Sequence, residues 1–200
     1  MRHGGFVLAY HGCDREIGEQ VLAGKADVRL SENDYDWLGK GAYFWENSPA
    51  RALQWARFIH DHPARSTGRV KDPFVVGAII APGNCLDLSD AACLDILKLT
   101  HSTFEEMMAA SNTKLPANEK GHAGDADLVK RKLDCAVMNF LHTLRESKGQ
   151  EPFETVRCPF FEGEPIYKGA GIAACTHIQW CVRNPVQNVV GYFRPRPDNN

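Results

Sequence analysis

Four places in this 200-residue chain carry residue types that could do chemistry. The first is His11-Gly12, at the end of the apolar run FVLAY. A histidine where a buried strand stops holds its ring at an edge, and the glycine leaves neighbouring backbone open to a ligand. Taken alone, the pair reads more simply as a turn glycine beside a hydrogen-bonded core histidine. The second place is GKGAYFWENSPARALQWA, residues 39–56. Gly39 and Gly41 let the backbone turn sharply and let a flat ligand come close. Tyr43 follows the turn, and Trp55 lies twelve residues further on. Two aromatics so placed could sandwich a planar, electron-poor ring, and a cationic ring would gain about 0.5–2 kcal/mol of cation–π attraction. Trp55 is equally read as a core residue of an amphipathic helix.

The third place is THIQWCVRNP, residues 176–185. Strand alternation puts His177, Gln179 and Cys181 on one face and Ile178, Trp180 and Val182 on the other. A buried Gln179 needs hydrogen-bond partners, and a ligand hydroxyl is a natural one. On a solvent-facing side it needs none. The fourth is a weaker set. His60 and His62 have a metal-ligand spacing but no third ligand nearby, so no metal is expected. Arg183, Arg194 and Arg196 gather near the C-terminus, where arginine suits phosphate geometry or simply solvates a strand end.

These residues need elements to position them. FVLAY (6–10) reads as a short buried strand broken by His11-Gly12. Asp14 caps a helix that carries Ile17, Val21 and Leu22 inward and ends at Gly24. Residues 31–42 form a polar loop. Ser48-Pro49 starts a helix with Ala52, Trp55, Ala56 and Ile59 on one face. FVVGAIIA (74–81) is an interior strand. Ser89 opens a ragged helical region to about residue 110, and residues 111–125 form a loop. A helix follows over 127–147 and stops at Gly149. TVRCPFF, THIQWCVR and VVGYF then read as three strands between Gly- and Pro-rich turns. The expected fold class is α+β, a single domain over residues 1–200 with a helical insertion at about 84–150.

Composition narrows the function classes. The chain is 44% hydrophobic and 24% charged, with a net charge of −2 that gives no general attraction to polyanions. No apolar run approaches membrane-spanning length, so no membrane partner is expected. The seven cysteines form an odd set with no C-x-x-C pair, which suits reduced thiols in a cytoplasmic protein.

YHGC, LGKGAYFWENSPARALQWA and HIQWCVRNPVQNVVGYF, in that order, resemble the ADP-ribosyltransferase superfamily, in its His-Tyr-Glu branch of diphtheria-type toxins and poly-ADP-ribose polymerases. The chain is also similar to an uncharacterised group of bacterial proteins with NDYDWLGKG-YFWE and HIQ-CVRNP stretches. The first resemblance covers about a third of the chain. It implies a split β-sheet core, two apposed sheets around an NAD cleft, with inserted helices. His11 would bond the nicotinamide-side ribose, Gly12 would hold the carboxamide through its backbone, and Tyr43 and Trp55 would sandwich the nicotinamide. Ser31 is a weaker candidate for contacting NAD. Gln179 falls where the branch has its glutamate.

The implied function is mono-ADP-ribosylation, with NAD as substrate, of a protein or nucleic-acid acceptor. A bacterial toxin or phage-defence effector, with an antitoxin protein as a partner, fits that activity. Glutamine carries no charge and cannot act as a general base, so chain growth is not expected. Glu46, Glu162, Glu164 and His177 are the substitute base candidates, each otherwise an ordinary surface or strand-edge group. NAD hydrolysis and non-catalytic binding of NAD or ADP-ribose are the alternatives, and RNA 2′-phosphotransfer is a remoter one.

Overall fold

Runs of β-branched and aromatic residues, separated by side-chain-capped helices, produce an α+β order in the computed structural model, which describes residues 4–65, 69–125 and 127–196. The chain runs β1 (Val7–Asp14), α1 (Arg15–Leu22), β2 (Ala42–Glu46), α2 (Pro49–Asp61) and β3 (Pro73–Ile80). Then come β4 (Cys85–Asp87), α3 (Ala91–Ala110), β5 (Asn118–Glu119), β6 (Lys130–Arg131) and α4 (Lys132–Ser147). The last elements are β7 (Thr155–Phe160), β8 (His177–Val182), α5 (Pro185–Asn188) and β9 (Val189–Phe193). Seven strands join in one sheet of order β4-β7-β8-β2-β1-β3-β9, while β5 and β6 form a separate ribbon. Only the β4–β7 pair in the large sheet is parallel.

Local signals set the helix starts. The side chains of Asp14, Ser48 and Asp90 each accept a bond from a first-turn amide, and Pro49 occupies the first turn of α2. Two boundaries differ from the sequence expectation, and α3 is more regular than expected. β1 does not stop at Tyr10 but continues through His11-Gly12 to Asp14, because β3 pairs with it along its whole length. α3 is one continuous helix, its Thr100 and Thr103 hydroxyls bonded back to the Ile96 and Leu99 carbonyls. α4 starts at Lys132 rather than 127, because the distant Asn118 side chain accepts from the Leu133 and Asp134 amides at its start.

One sheet face packs Ala9, Phe44, Val76, Ala78, Trp180 and Val182 against Val21 of α1 and the segment around Val28. The opposite face is shared. α2 covers Tyr10, Trp45 and Val75, while Met138 and Leu141 of α4 cover Leu86, Val156 and Cys181. The 84–150 region is therefore built into the core, with β4 at the sheet edge. Among the described residues no helix is long and apolar enough to cross a membrane.

His142 on α4 gives the fold an acid-sensitive point. It is 4% exposed, and burial, followed by the Arg183 and Arg145 charges, holds its pKa down to about 3 from the ordinary 6.5. The unfolded chain takes up that proton first, so the stability linked to His142 is complete above pH 6.5 and declines as the pH falls toward 3. Urea titrations should show a loss of roughly 2 kcal/mol between about pH 7 and about pH 5. His142→Leu should flatten that part of the profile.

Candidate functional site

The sheet is continuous on one side of β1 and nearly parted on the other. β1 and β3 pair from Val7–Ile80 to Asp14–Pro73, whereas β1 and β2 pair only at Ala9–Glu46 and Tyr10–Trp45. Beyond Tyr10 the strands share no ladder, and the His11 side chain stands in its place. His11 Nδ1 lies 2.8 Å from the Tyr43 carbonyl oxygen. A carbonyl only accepts, so Nδ1 carries the proton and Nε2 of the neutral ring keeps its lone pair. Burial lowers the His11 pKa and the bond to Tyr43 opposes this in part, which favours the neutral ring at pH 7. Nε2 makes no hydrogen bond among the described residues.

The same split leaves an edge of backbone unpaired by β2. Asn47 donates its amide to the Leu8 carbonyl at 3.0 Å, which directs the polar groups of Leu8 toward β2. Alternation directs those of Gly12 the same way, past the last β1–β2 pair. Backbone groups in such a position ordinarily need a partner.

Gly12 also lies beneath α2. A Cβ there would stand 2.1 Å from the Ala52 carbonyl oxygen and 3.3 Å from the Ala56 side chain. α2 can rest on β1 only because residue 12 lacks a side chain. Gly12→Ala should cost about 1–3 kcal/mol by overpacking, read as a lowered melting temperature.

Tyr43 faces the α2–α4 side of the sheet. Its hydroxyl donates to the Gly39 carbonyl at 2.5 Å and accepts from the Leu38 amide at 3.0 Å, which locks the ring. The glycines of this turn correct the sequence reading. The space beside Gly39 is filled by Asn139 and Met138, and that beside Gly41 by Cys181 and Val182. Both glycines let the turn pack on α4 and β8 and leave no approach for a flat ligand. Gly39 also takes φ 77°, a left-handed conformation that favours glycine.

Trp55 does not belong to the core face of α2. Ala52, Ala56 and Ile59 are buried, whereas Trp55 is 37% exposed. Its indole lies 6.1 Å from Trp45 and stacks on Phe58 at 5.9 Å, so it is not in ring contact with Tyr43.

Gln179 stands where alternation placed it. It is opposite Trp45 on β2 and Cys158 on β7, on the same sheet face as Tyr43 and Gly12. Half-buried, its amide makes no hydrogen bond among the described residues. Around it is a polar cluster of which the sequence offered His177 and Glu162 but not Arg51. Arg51 of α2 donates to Glu162 at 2.8 Å, and both side chains are largely buried. His177 Nδ1 lies 2.7 Å from the Cys175 carbonyl and 3.9 Å from Glu162. Burial lowers the His177 pKa, and the Arg51 and Arg131 charges add to that, against the Cys175 carbonyl and Glu162. Trp45 Nε1, Arg51 Nε and His177 Nε2 are buried without a hydrogen-bond partner among the described residues. Proximity of Trp45 to the motif was the one available signal; the Arg51–Glu162 pair spans 111 positions and left none.

Other candidates lie elsewhere. Glu46 points to the opposite face, accepting from Trp180 Nε1 at 2.7 Å and from Arg157 Nε at 2.8 Å. Arg157 also bonds Asp87, so Glu46 is tied into a structural network. Glu164 is exposed in the β7–β8 loop. Ser31 exchanges backbone bonds with Gly41, and its hydroxyl accepts from Asn33, which holds it in the loop. Arg183 bonds the Phe153 carbonyl and Glu146, and Arg194 bonds Glu19. His60 bonds Asp61 and His62 bonds the Phe58 carbonyl. Among the described residues no cluster of His, Cys, Asp and Glu could hold a metal ion.

The chain is 26% identical over 159 residues to an uncharacterised protein of Methanocaldococcus jannaschii. The match covers 77% of this chain and 64% of that protein, so the chain spans less than two thirds of its relative's length. No family model and no solved structure matches the chain.

Proposed function

We propose that this chain cleaves NAD at the split between β1 and β2 and transfers ADP-ribose to a macromolecular acceptor. The observation that carries this reading is the Gly12 backbone edge, unpaired by β2 and flanked by His11 and Tyr43. A primary carboxamide has one acceptor and two donors, which suits an unpaired backbone edge. Nicotinamide bound there would lie beside the locked Tyr43 ring, with the half-exposed Trp55 able to close over it. The His11 ring lies by alternation on the Ala9–Phe44 face and reaches the split from that side. There its Nε2 lone pair would accept from a ribose hydroxyl, and the Gln179 amide would bond a second one from the opposite face.

In the reaction, the bond from the ribose anomeric carbon to the nicotinamide nitrogen breaks, and its electron pair neutralises the pyridinium. An acceptor oxygen or nitrogen forms the new bond to that carbon and gives up its proton. Charge develops on the sugar, and Gln179 meets it with a carbonyl dipole rather than a full charge. Of the base candidates, His177 and Glu162 stand on the Gln179 side of the sheet; Glu46 does not. The cleft thus contributes chiefly binding and orientation.

The uncharged Gln179 supports a second reading, a module that binds NAD or ADP-ribose without turnover. Incubating the purified chain with cell lysate and NAD labelled in the adenylate half separates the two. Label on protein or nucleic acid is the expected result. Free labelled ADP-ribose alone would make the chain a glycohydrolase, and intact NAD held on the chain would make it a binding module.

A further inference from the structure

The turn that fixes Tyr43 also walls a separate cavity of about 350 Å³. One wall is the loop carrying Glu32 and Lys40, the other is one face of α4 with Asn139, His142 and Glu146, and Arg183 closes the end of β8. None of these residues belongs to the NAD site proposed above. The volume lies at the lower end of the range for small-ligand pockets, about 300–1,000 Å³.

Two features show what the cavity lacks. His142 is 4% exposed and neither ring nitrogen has a hydrogen-bond partner among the described residues, although a neutral imidazole offers one donor and one acceptor. Polar groups so deeply buried are ordinarily satisfied, and the open space beside His142 is the cavity itself. The ring rests on Phe153 with its plane at 76°, and its low pKa keeps it neutral at physiological pH.

The second feature is the charge arrangement. Lys40 and Glu32 form an ion pair at 2.5 Å on the loop wall, and Arg183 and Glu146 approach to 3.4 Å on the helix wall. Arg183 is further fixed by donating to the Phe153 carbonyl at 3.1 Å. The lining thus holds two cations and two carboxylates. A simple anion entering it meets both carboxylates, and a simple cation meets both basic groups. A molecule carrying both signs matches both walls.

We propose that this cavity binds a small zwitterion of the free α-amino-acid class, its carboxylate on Arg183 and Lys40 and its ammonium on Glu146 and Glu32. The same ammonium and carboxylate have hydrogen-bonding capacity left over, from which one further bond serves the neutral His142 ring. This assignment does not depend on the NAD reading.

Thermal melting and calorimetry of the full chain against individual free amino acids at millimolar concentration test it, with acetate, methylamine and inorganic phosphate as single-charge probes. At least one amino acid should bind, raise the melting temperature and shift the ¹⁵N resonances of the His142 ring. Arg183→Gln and Glu146→Gln should each weaken that binding about tenfold or more, since each removes a charge-assisted bond. Each is checked separately for folding, so failure of one to fold leaves the other as the test. Phosphate or acetate binding as tightly as any amino acid would make this an anion site and overturn the proposal. No binding by any probe, with His142 served by water alone, would overturn it as well.

Discussion

His11→Ala is expected to lower the proposed release of nicotinamide from NAD by about a hundredfold or more, the scale expected when a group that positions the reacting atoms is lost. Two roles of the ring disappear together. Its Nδ1–H satisfies the Tyr43 carbonyl across the split, and its Nε2 is the lone pair proposed to accept from a ribose hydroxyl. The stability cost is smaller, about 1–2 kcal/mol for one unsatisfied carbonyl, so the variant should remain folded. His11→Gln separates the roles, because an amide N–H can still serve Tyr43 while the imidazole lone pair is gone. Full turnover in a folded His11→Ala protein would remove the site from this split.

Gln179→Glu is expected to act in the opposite direction. A carboxylate at position 179 would stabilise the positive charge that develops on the ribose and could take a proton from the attacking group. General acid–base catalysis of this kind contributes about 10²–10⁴-fold, so NAD hydrolysis should rise by about a hundredfold. The substitution breaks no existing bond, since the Gln179 amide has none among the described residues, and it preserves side-chain length. The Arg51 guanidinium on the same side of the sheet favours the ionised form. An unchanged rate in a folded variant would place Gln179 outside the reacting cleft.

The parts of this fold that could be read from sequence were those set within a few residues. Asp14 and Ser48-Pro49 start helices because a cap and its amides are neighbours. The β8 alternation that put His177, Gln179 and Cys181 on one face needed only the two-residue period of a strand. Interactions closed over long separations could not be read. The Glu46 carboxylate looked free beside the aromatic motif, yet Trp180 and Arg157 take it to the other face. Gly39 and Gly41 looked like ligand-facing glycines until Asn139 and Cys181 filled the space beside them. The division of the sheet at Tyr10–Trp45 depends on where β2 and β3 pair, which no local pattern in YHGC encodes.

The proposed NAD cleavage at this split stands or falls on one assay. It is tested most directly by incubating the purified chain with NAD alone and following free nicotinamide by chromatography, with binding followed in parallel by calorimetry. Saturable binding of NAD and release of nicotinamide that His11→Ala suppresses are the expected results. NAD that neither binds nor loses nicotinamide, in a protein shown to be folded, would contradict it.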